Sequence, residues 1–386
     1  MLLSFFVAPA LFMFSCKDDD DVKPSAEIPD KFSELSPEEH KGKLEENGLQ
    51  LVEDFEGVKD LSAISALKHF FALRSLGEEG EFFGARLLNE ISALDQNAGS
   101  TQIFSALRLR EEEPESMKES FEENIGVYIW DFEYEGWVHE ATGSAIVYKF
   151  PSGPDVEEND AMLTIKDFNT VIQLGPDDEE EEFPTNLVVE LKIDNAVVLQ
   201  YSFNAKYANE GMPTSVKSSL KMSPYQFAVE LANDGKKANV DYSLTKDGKT
   251  LIALGASAKG VFIGEAGGDE FTDVVHSAQA YFQALNIKIV GIIDVQKLAA
   301  ELQSATSQEK ALAAYNNNID LAVVYADSNT KLAEIEFYIN GEEDIRGRMV
   351  FGDESRTDVD VYFQDGFDNL IQEIQDIISE FQGEEA

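Results

Sequence analysis

The chain has a single cysteine, Cys16, among 386 residues. No disulfide can close within it, so packing alone must hold the fold. Positive charge is scarce: 30 Lys and Arg stand against 74 Asp and Glu, a net charge of −44. Such a polyanion is repelled by phosphate backbones, which argues against nucleic-acid binding, and by anionic lipid head groups. The charge suits solubility on a crowded cell surface; attraction of cations such as Ca²⁺ or of basic partners is the sharper consequence. The four histidines, His40, His69, His139 and His276, lack zinc-motif spacing and read as ordinary surface side chains. No P-loop, dinucleotide glycine fingerprint or nucleophile elbow occurs, since Gly255-Ala256-Ser257-Ala258-Lys259 lacks the closing glycine. No repeat of solenoid or propeller length is found.

What is present begins at the N-terminus. Leu2–Ser15 is nearly all apolar and stops at Cys16, followed at once by Lys17-Asp18-Asp19-Asp20-Asp21. The run is shorter than the roughly 20 residues that span a bilayer and has the length of a signal-peptide core. Pro9 and the charge boundary at Lys17 count against a buried helix. An apolar stretch closing on a small residue and a cysteine resembles a bacterial lipoprotein signal. Two features depart from the usual pattern: no basic residue precedes the run, and Met13-Phe14 stands where Leu and a small residue are usual. The acidic run after Cys16 resembles the export signal of surface-exposed Bacteroidetes-type lipoproteins. Ser36-Pro37-Glu38-Glu39-His40, Tyr148–Ser152 and Asn159–Ile165 are similar to stretches of uncharacterised members of that group. The resemblance implies removal of residues 1–15, lipid on Cys16 and a place at the outer membrane or cell surface. It implies no chemistry. With Cys16 lipidated, no thiol remains for catalysis, and stable anchoring takes more than one chain on that cysteine.

Residues 16–35 read as an acidic tether containing Pro24 and Pro29. Ser36, Pro37 and Glu39 then form a capping box, and Leu44, Leu51, Val52 and Phe55 follow at helical spacing. Ile64, Leu67, Phe70 and Phe71, then Leu87, Leu88 and Ile91, predict two more helices, so 36–124 reads as a mainly helical segment. Near Ile125 the period falls to two. Alternating runs through Leu187–Ile193, Val197–Phe203, Tyr225–Leu231 and Val240–Leu244 are joined by Asp194-Asn195, Asn233-Asp234-Gly235 and Asp247-Gly248, all turn signals. A helical insertion is expected near 269–317, with helices over Phe271–Phe282 and 295–315 around a strand at Ile287–Ile293. Strands resume at Leu321–Tyr325, Leu332–Ile339, Arg346–Phe351 and Asp358–Phe363, and Phe367, Leu370, Ile371, Ile374, Ile377, Ile378 and Phe381 mark a C-terminal amphipathic helix at 366–382. The class expected is α+β: an N-terminal helical segment, then over 125–386 a long antiparallel meander with packing helices.

Candidate chemistry gathers in one strand. Tyr128, Trp130, Phe132 and Tyr134 alternate with Ile129, Asp131, Glu133 and Glu135, and Trp137 lies just beyond. Tyr128, Trp130, Tyr134 and Trp137 would stack on a ligand such as a sugar ring, or else line the core behind a solvated acidic face. Asp131, Glu133 and Glu135 on one strand face would stand about 7 Å apart, within the range glycoside hydrolysis uses. The run Asp177–Glu182 offers oxygen ligands for Ca²⁺, but a solvated hairpin loop explains it more simply. Asp358, Asp360, Asp365 and Asp368 fail as an EF-hand, because Tyr362 and Phe363 stand where a ligand and a glycine are needed. The leading reading is a lipid-anchored surface binding protein without catalytic residues, cofactor or metal. Its partner is a glycan, a peptide or another envelope protein, and it meets the membrane through lipid on Cys16. Two alternatives stand beside it. One is a carrier of lipid or another apolar ligand between sheet and C-terminal helix, which 26 Phe would suit. The other is a carboxylate-dependent hydrolase.

Overall fold

Period-two alternation becomes strand wherever one of its faces can be buried, and most of this chain is antiparallel β-sheet with helices packed on it. The computed structural model describes residues 27–58, 60–77, 83–92, 116–175, 179–208, 211–262, 274–341 and 344–362. The signal region, Cys16 and the helix expected at 366–382 lie outside the described residues. Two compact units divide the chain: a central one, Phe55–Ala228, and a terminal one built from residues before Phe55 and after Ala228. This division differs from the helical and β-rich division read from the sequence.

The first helix, α1 (Pro37–Glu56), starts at the capping box. Glu39 Oε2 accepts from the Ser36 amide at 2.8 Å and from its hydroxyl at 2.7 Å, while Ser36 Oγ accepts from the Glu39 amide at 3.4 Å. The central unit follows with α2 (Ser62–Gly77), α3 (Ala85–Ser92) and α4 (Met117–Glu123). Its strands are β1 (Gly126–Asp131), β2 (Gly136–Glu140), β3 (Ile146–Phe150), β4 (Ala161–Leu174), β5 (Glu180–Ile193), β6 (Ala196–Tyr207) and β7 (Pro213–Met222). Their order is β7-β6-β5-β4-β3-β1-β2, and β1 runs parallel to β3, a departure from the expected pure meander. Ile146, Ile165, Val189, Tyr201 and Leu220 face one another across five strands and are essentially fully buried. Ile64, Leu67 and Phe70 of α2, with Leu87, Leu88 and Ile91 of α3, are buried too. Burial of each such side chain contributes about 1.5–3 kcal/mol. The Asp194-Asn195 turn takes φ of +50° and +66°, the left-handed pair that a two-residue hairpin requires.

Strand β8 (Tyr225–Asn233) carries the chain into the terminal unit. There β9 (Lys237–Lys246), β10 (Lys249–Gly260), β11 (Val275–Ala284) and β12 (Ile287–Asp294) precede α5 (Val295–Ser304) and α6 (Gln308–Asn318). Then come β13 (Ile319–Tyr325), β14 (Thr330–Ile339), β15 (Ile345–Val350), β16 (Arg356–Asp358) and α7 (Val359–Tyr362). From β9 to β16 the strands pair antiparallel in chain order. On one face, Leu44 of α1 packs with Val323, Tyr325, Ala333, Met349 and Phe351. On the other, Ile28 packs with Val290, Ala322 and Val324.

Three expectations fail here. Of the helix expected over Phe271–Phe282, Val275–Phe282 is strand, part of β11 and paired with β10 and β12, and residues 271–273 lie outside the described residues. Alanines and glutamines favour helix locally, but two waiting strand edges override propensity. The single helix expected over 295–315 is two, because Ser307 caps a new start by accepting from the Lys310 amide at 3.4 Å. The strand expected over Asp358–Phe363 ends at Asp358 and turns into α7.

Candidate functional site

Trp130 of β1 stands directly across from Trp137 of β2, their rings edge-to-face at 5.6 Å. One row along, Tyr128 is stacked between His139 at 4.3 Å and Tyr148 at 4.8 Å, and its hydroxyl donates to the Asn124 carbonyl at 3.2 Å. Phe70 of α2 covers this ladder edge-on, 5.0 Å from Tyr148 and 5.8 Å from Trp137. Tyr128 and Trp130 are therefore core residues, 8% and 5% exposed, and their ring faces are occupied. The expectation that they stack on a ligand is corrected: a helix and neighbouring rings already cover them.

The strand expected to run on to Glu135 stops at Asp131. The Asp131 carboxylate accepts from the amides of Glu133 at 2.8 Å and Tyr134 at 3.0 Å, which folds a turn, and Glu135 takes φ of +48° to re-enter as β2. Asp131, Glu133 and Glu135 consequently share no strand face, the arrangement on which the paired-carboxylate reading rests. The same turn lifts Phe132 and Tyr134 out of the sheet, 44% and 78% exposed. Trp137 is half-buried, and its indole Nε1 is buried without a hydrogen-bond partner. Asn159 donates to the Trp130 carbonyl at 2.8 Å, leaving its own Oδ1 buried and unpartnered. An unsatisfied buried polar atom costs about 1–3 kcal/mol, and both atoms are closed off from solvent, so the groups the turn offers at the surface are the exposed rings of Phe132 and Tyr134. Of the four residues read as ligand-binding, Tyr134 is on the surface and Trp137 half-buried at the edge strand. Phe132 belongs with them.

Other expectations resolve differently. His40 is buried, not a surface histidine: its Nδ1 lies 2.7 Å from the Tyr325 hydroxyl, and its ring stacks on Phe351 at 6.1 Å. Burial holds its pKa below the ordinary value, partly opposed by Glu39 and Asp353. His276 lies on β11, half-buried. In the acidic run, Glu180–Glu182 begin β5 instead of forming a loop, and Asp177 and Asp178 lie outside the described residues. Glu182 accepts from the Met117 amide at 2.5 Å, the Lys118 amide at 3.2 Å and Thr170 Oγ1 at 2.6 Å. Burial works to raise its pKa, but these bonds and one from Ser116 together lower it. Among the described residues no group of three or more His, Cys, Asp or Glu is placed to hold a metal.

The terminal unit holds a cluster that the sequence reading missed. The Tyr281 hydroxyl donates to Asp241 Oδ1 at 3.2 Å, and Lys288 Nζ sits over the Tyr281 ring at 4.2 Å. Burial, with Asp241 beside it, pushes the Tyr281 pKa to about 12, and burial lowers that of Lys288 against the pull of Asp241. Gly255 makes room for the cluster: a Cβ there would lie 2.2 Å from Tyr281 Cε1 and 2.8 Å from Asp241 Oδ1. A glycine inside an alternating strand was the one available signal.

Against known proteins the chain stands apart: no protein-family model matches it, and neither does any curated protein or solved structure at a significant level.

Proposed function

We propose that this chain is a lipid-anchored binding protein of the outer membrane or cell surface, held by lipid on Cys16. In this reading it takes a glycan at the β1–β2 hairpin through Phe132, Tyr134 and the Trp137 edge. Binding, not turnover, is the activity proposed. One observation carries it: two aromatic rings, Phe132 and Tyr134, stand exposed on a turn fixed by Asp131. Aromatic rings offer sugars apolar area with a π face. The acidic run after Cys16 supports surface exposure, and among the described residues no helix is long and apolar enough to cross a membrane. A glycan array probed with the chain from Cys16 onward tests the reading. The expected result is binding that falls at least about tenfold in Tyr134→Ala and Phe132→Ala, which leave the core intact. Signal at background, or signal indifferent to both changes, overturns it. Retention by a peptide array instead would move the hairpin to protein recognition.

A further inference from the structure

On the face of the last three strands of the terminal unit, two guanidinium groups converge on one carboxylate oxygen. Glu336 of β14 lies directly across from Arg348 of β15, and Arg356 of β16 stands one row along on the same face. Arg348 donates to Glu336 Oε2 from Nε at 3.0 Å and Nη2 at 2.9 Å, and Arg356 Nε reaches the same oxygen at 3.3 Å. Three of the seven arginines of the chain, Arg346, Arg348 and Arg356, stand in this patch. In a chain with 74 acidic residues each arginine could have its own carboxylate, yet two share one. Asp358, the register partner of Arg348, stands close enough to Tyr338 to raise the pKa of its hydroxyl. Arg346 lies opposite Tyr338, with Asp344 at 3.8 Å.

The pair is braced and reachable. The Arg348 guanidinium lies over the Tyr338 ring at 5.0 Å, and Arg356 Nη1 donates to the Glu354 carbonyl at 3.1 Å. The side chains of Arg348 and Arg356 remain 29% and 47% exposed. A guanidinium carries five N–H donors in a fixed fork, and Glu336 and Glu354 occupy only part of each set. The donors left over suit a planar oxyanion.

We propose that Arg348 and Arg356, held by Glu336 and Tyr338, form a carboxylate-binding subsite for an acidic saccharide. The patch lies on the face of paired strands. A sugar ring can lie across such a face, whereas an extended peptide is recognised through a free strand edge or a groove. The net charge that opposes polyanions at long range also opposes an acidic saccharide, but at physiological salt it is screened beyond about 8 Å, so the guanidinium groups at contact decide local binding. The proposal stands independently of the β1–β2 hairpin.

Titration calorimetry of the full chain with a galacturonic-acid oligomer tests it. A galactose oligomer of equal length and a poly-glutamate peptide serve as the other arms. The acidic saccharide should bind saturably, the neutral one not at all, and the peptide at least about tenfold more weakly. Arg348→Lys, which keeps the charge and loses the fork, should weaken binding about tenfold. Glu336→Gln removes the internal competitor and should tighten binding several-fold, whatever it does to thermal stability. Absence of saturable binding overturns the proposal, and so does equal binding of the neutral oligomer. A peptide bound as tightly would make the site one for acidic protein segments. Indifference to Arg348→Lys, or weaker binding in Glu336→Gln, would leave the arginine pair a purely structural brace.

Discussion

The central and terminal units bury their sheets in different ways. In the central unit one face carries the core: rows such as Ile146, Ile165, Val189, Tyr201 and Leu220 are fully covered, while alternate positions along β6 are exposed. In the terminal unit, β9, β11 and β12 are half-buried at most positions, on both faces. One-sided burial writes a clean period of two into the sequence, and burial shared between two faces erases it. That contrast explains why β5 and β6 are read from their alternation and β11 is mistaken for a helix.

The contrast can be broken by mutation. The largest effect is expected for Phe70→Ala in the central unit, where the ring meets Tyr148 and Phe150 at 5.0 Å. A loss of about 3–5 kcal/mol in urea unfolding is expected. Phe282→Ala in the terminal unit, on a ring 38% exposed, should cost well under half of that. Equal costs would end the distinction. Next comes Gly255→Val, which drives a side chain into Tyr281 and Asp241 and should cost about 1–3 kcal/mol.

His40 gives a pH-dependent comparison. Because its native pKa is held low, the unfolded chain takes up the proton first. Its contribution is fully present above about pH 6.5 and is lost as the pH falls through the native value. His40→Phe should cost about 1–2 kcal/mol at neutral pH, since the Tyr325 hydroxyl loses a partner, and should flatten the acid-side loss below about pH 6.5. Melting temperatures across that range check the sign; a slope unchanged by the substitution would remove His40 from the account. The smallest effect belongs to the hairpin. Trp137→Phe deletes an unsatisfied N–H and should leave stability within about 0.5 kcal/mol of the parent or raise it, and Tyr134→Ser should be equally silent. A loss above about 1 kcal/mol in either, by thermal denaturation, would make the turn part of the core.

The sequence makes the capping box at Ser36, the left-handed turn at Asp194-Asn195 and most strands legible, because each rests on residues adjacent in the chain. The end of β1 is hidden because Asp131 reads as one more residue in an alternating run, while its carboxylate is what turns the chain. The candidate site is half legible for the same reason: the aromatic alternation is plain, but which rings the Phe70 helix covers depends on long-range packing. Glu336, Arg348 and Arg356 span three strands, and the register that joins them leaves no local trace.

One feature at the start of the described chain bears on mechanics. Phe32 pairs in parallel with Lys331, through Ser33 N–H to the Lys331 carbonyl at 2.7 Å and Lys331 N–H to the Lys31 carbonyl at 2.8 Å. Lys331 Nζ sits over the Phe32 ring at 4.4 Å, and a Cβ on Gly352 would lie 2.9 Å from Phe32 Cβ and 3.2 Å from the ring's Cγ. A pull on the N-terminal side therefore reaches β14 through this parallel bridge and loads both hydrogen bonds. An anchor upstream would hand its tension to the fold at Ile28 and then Phe32, ahead of Pro37 and α1.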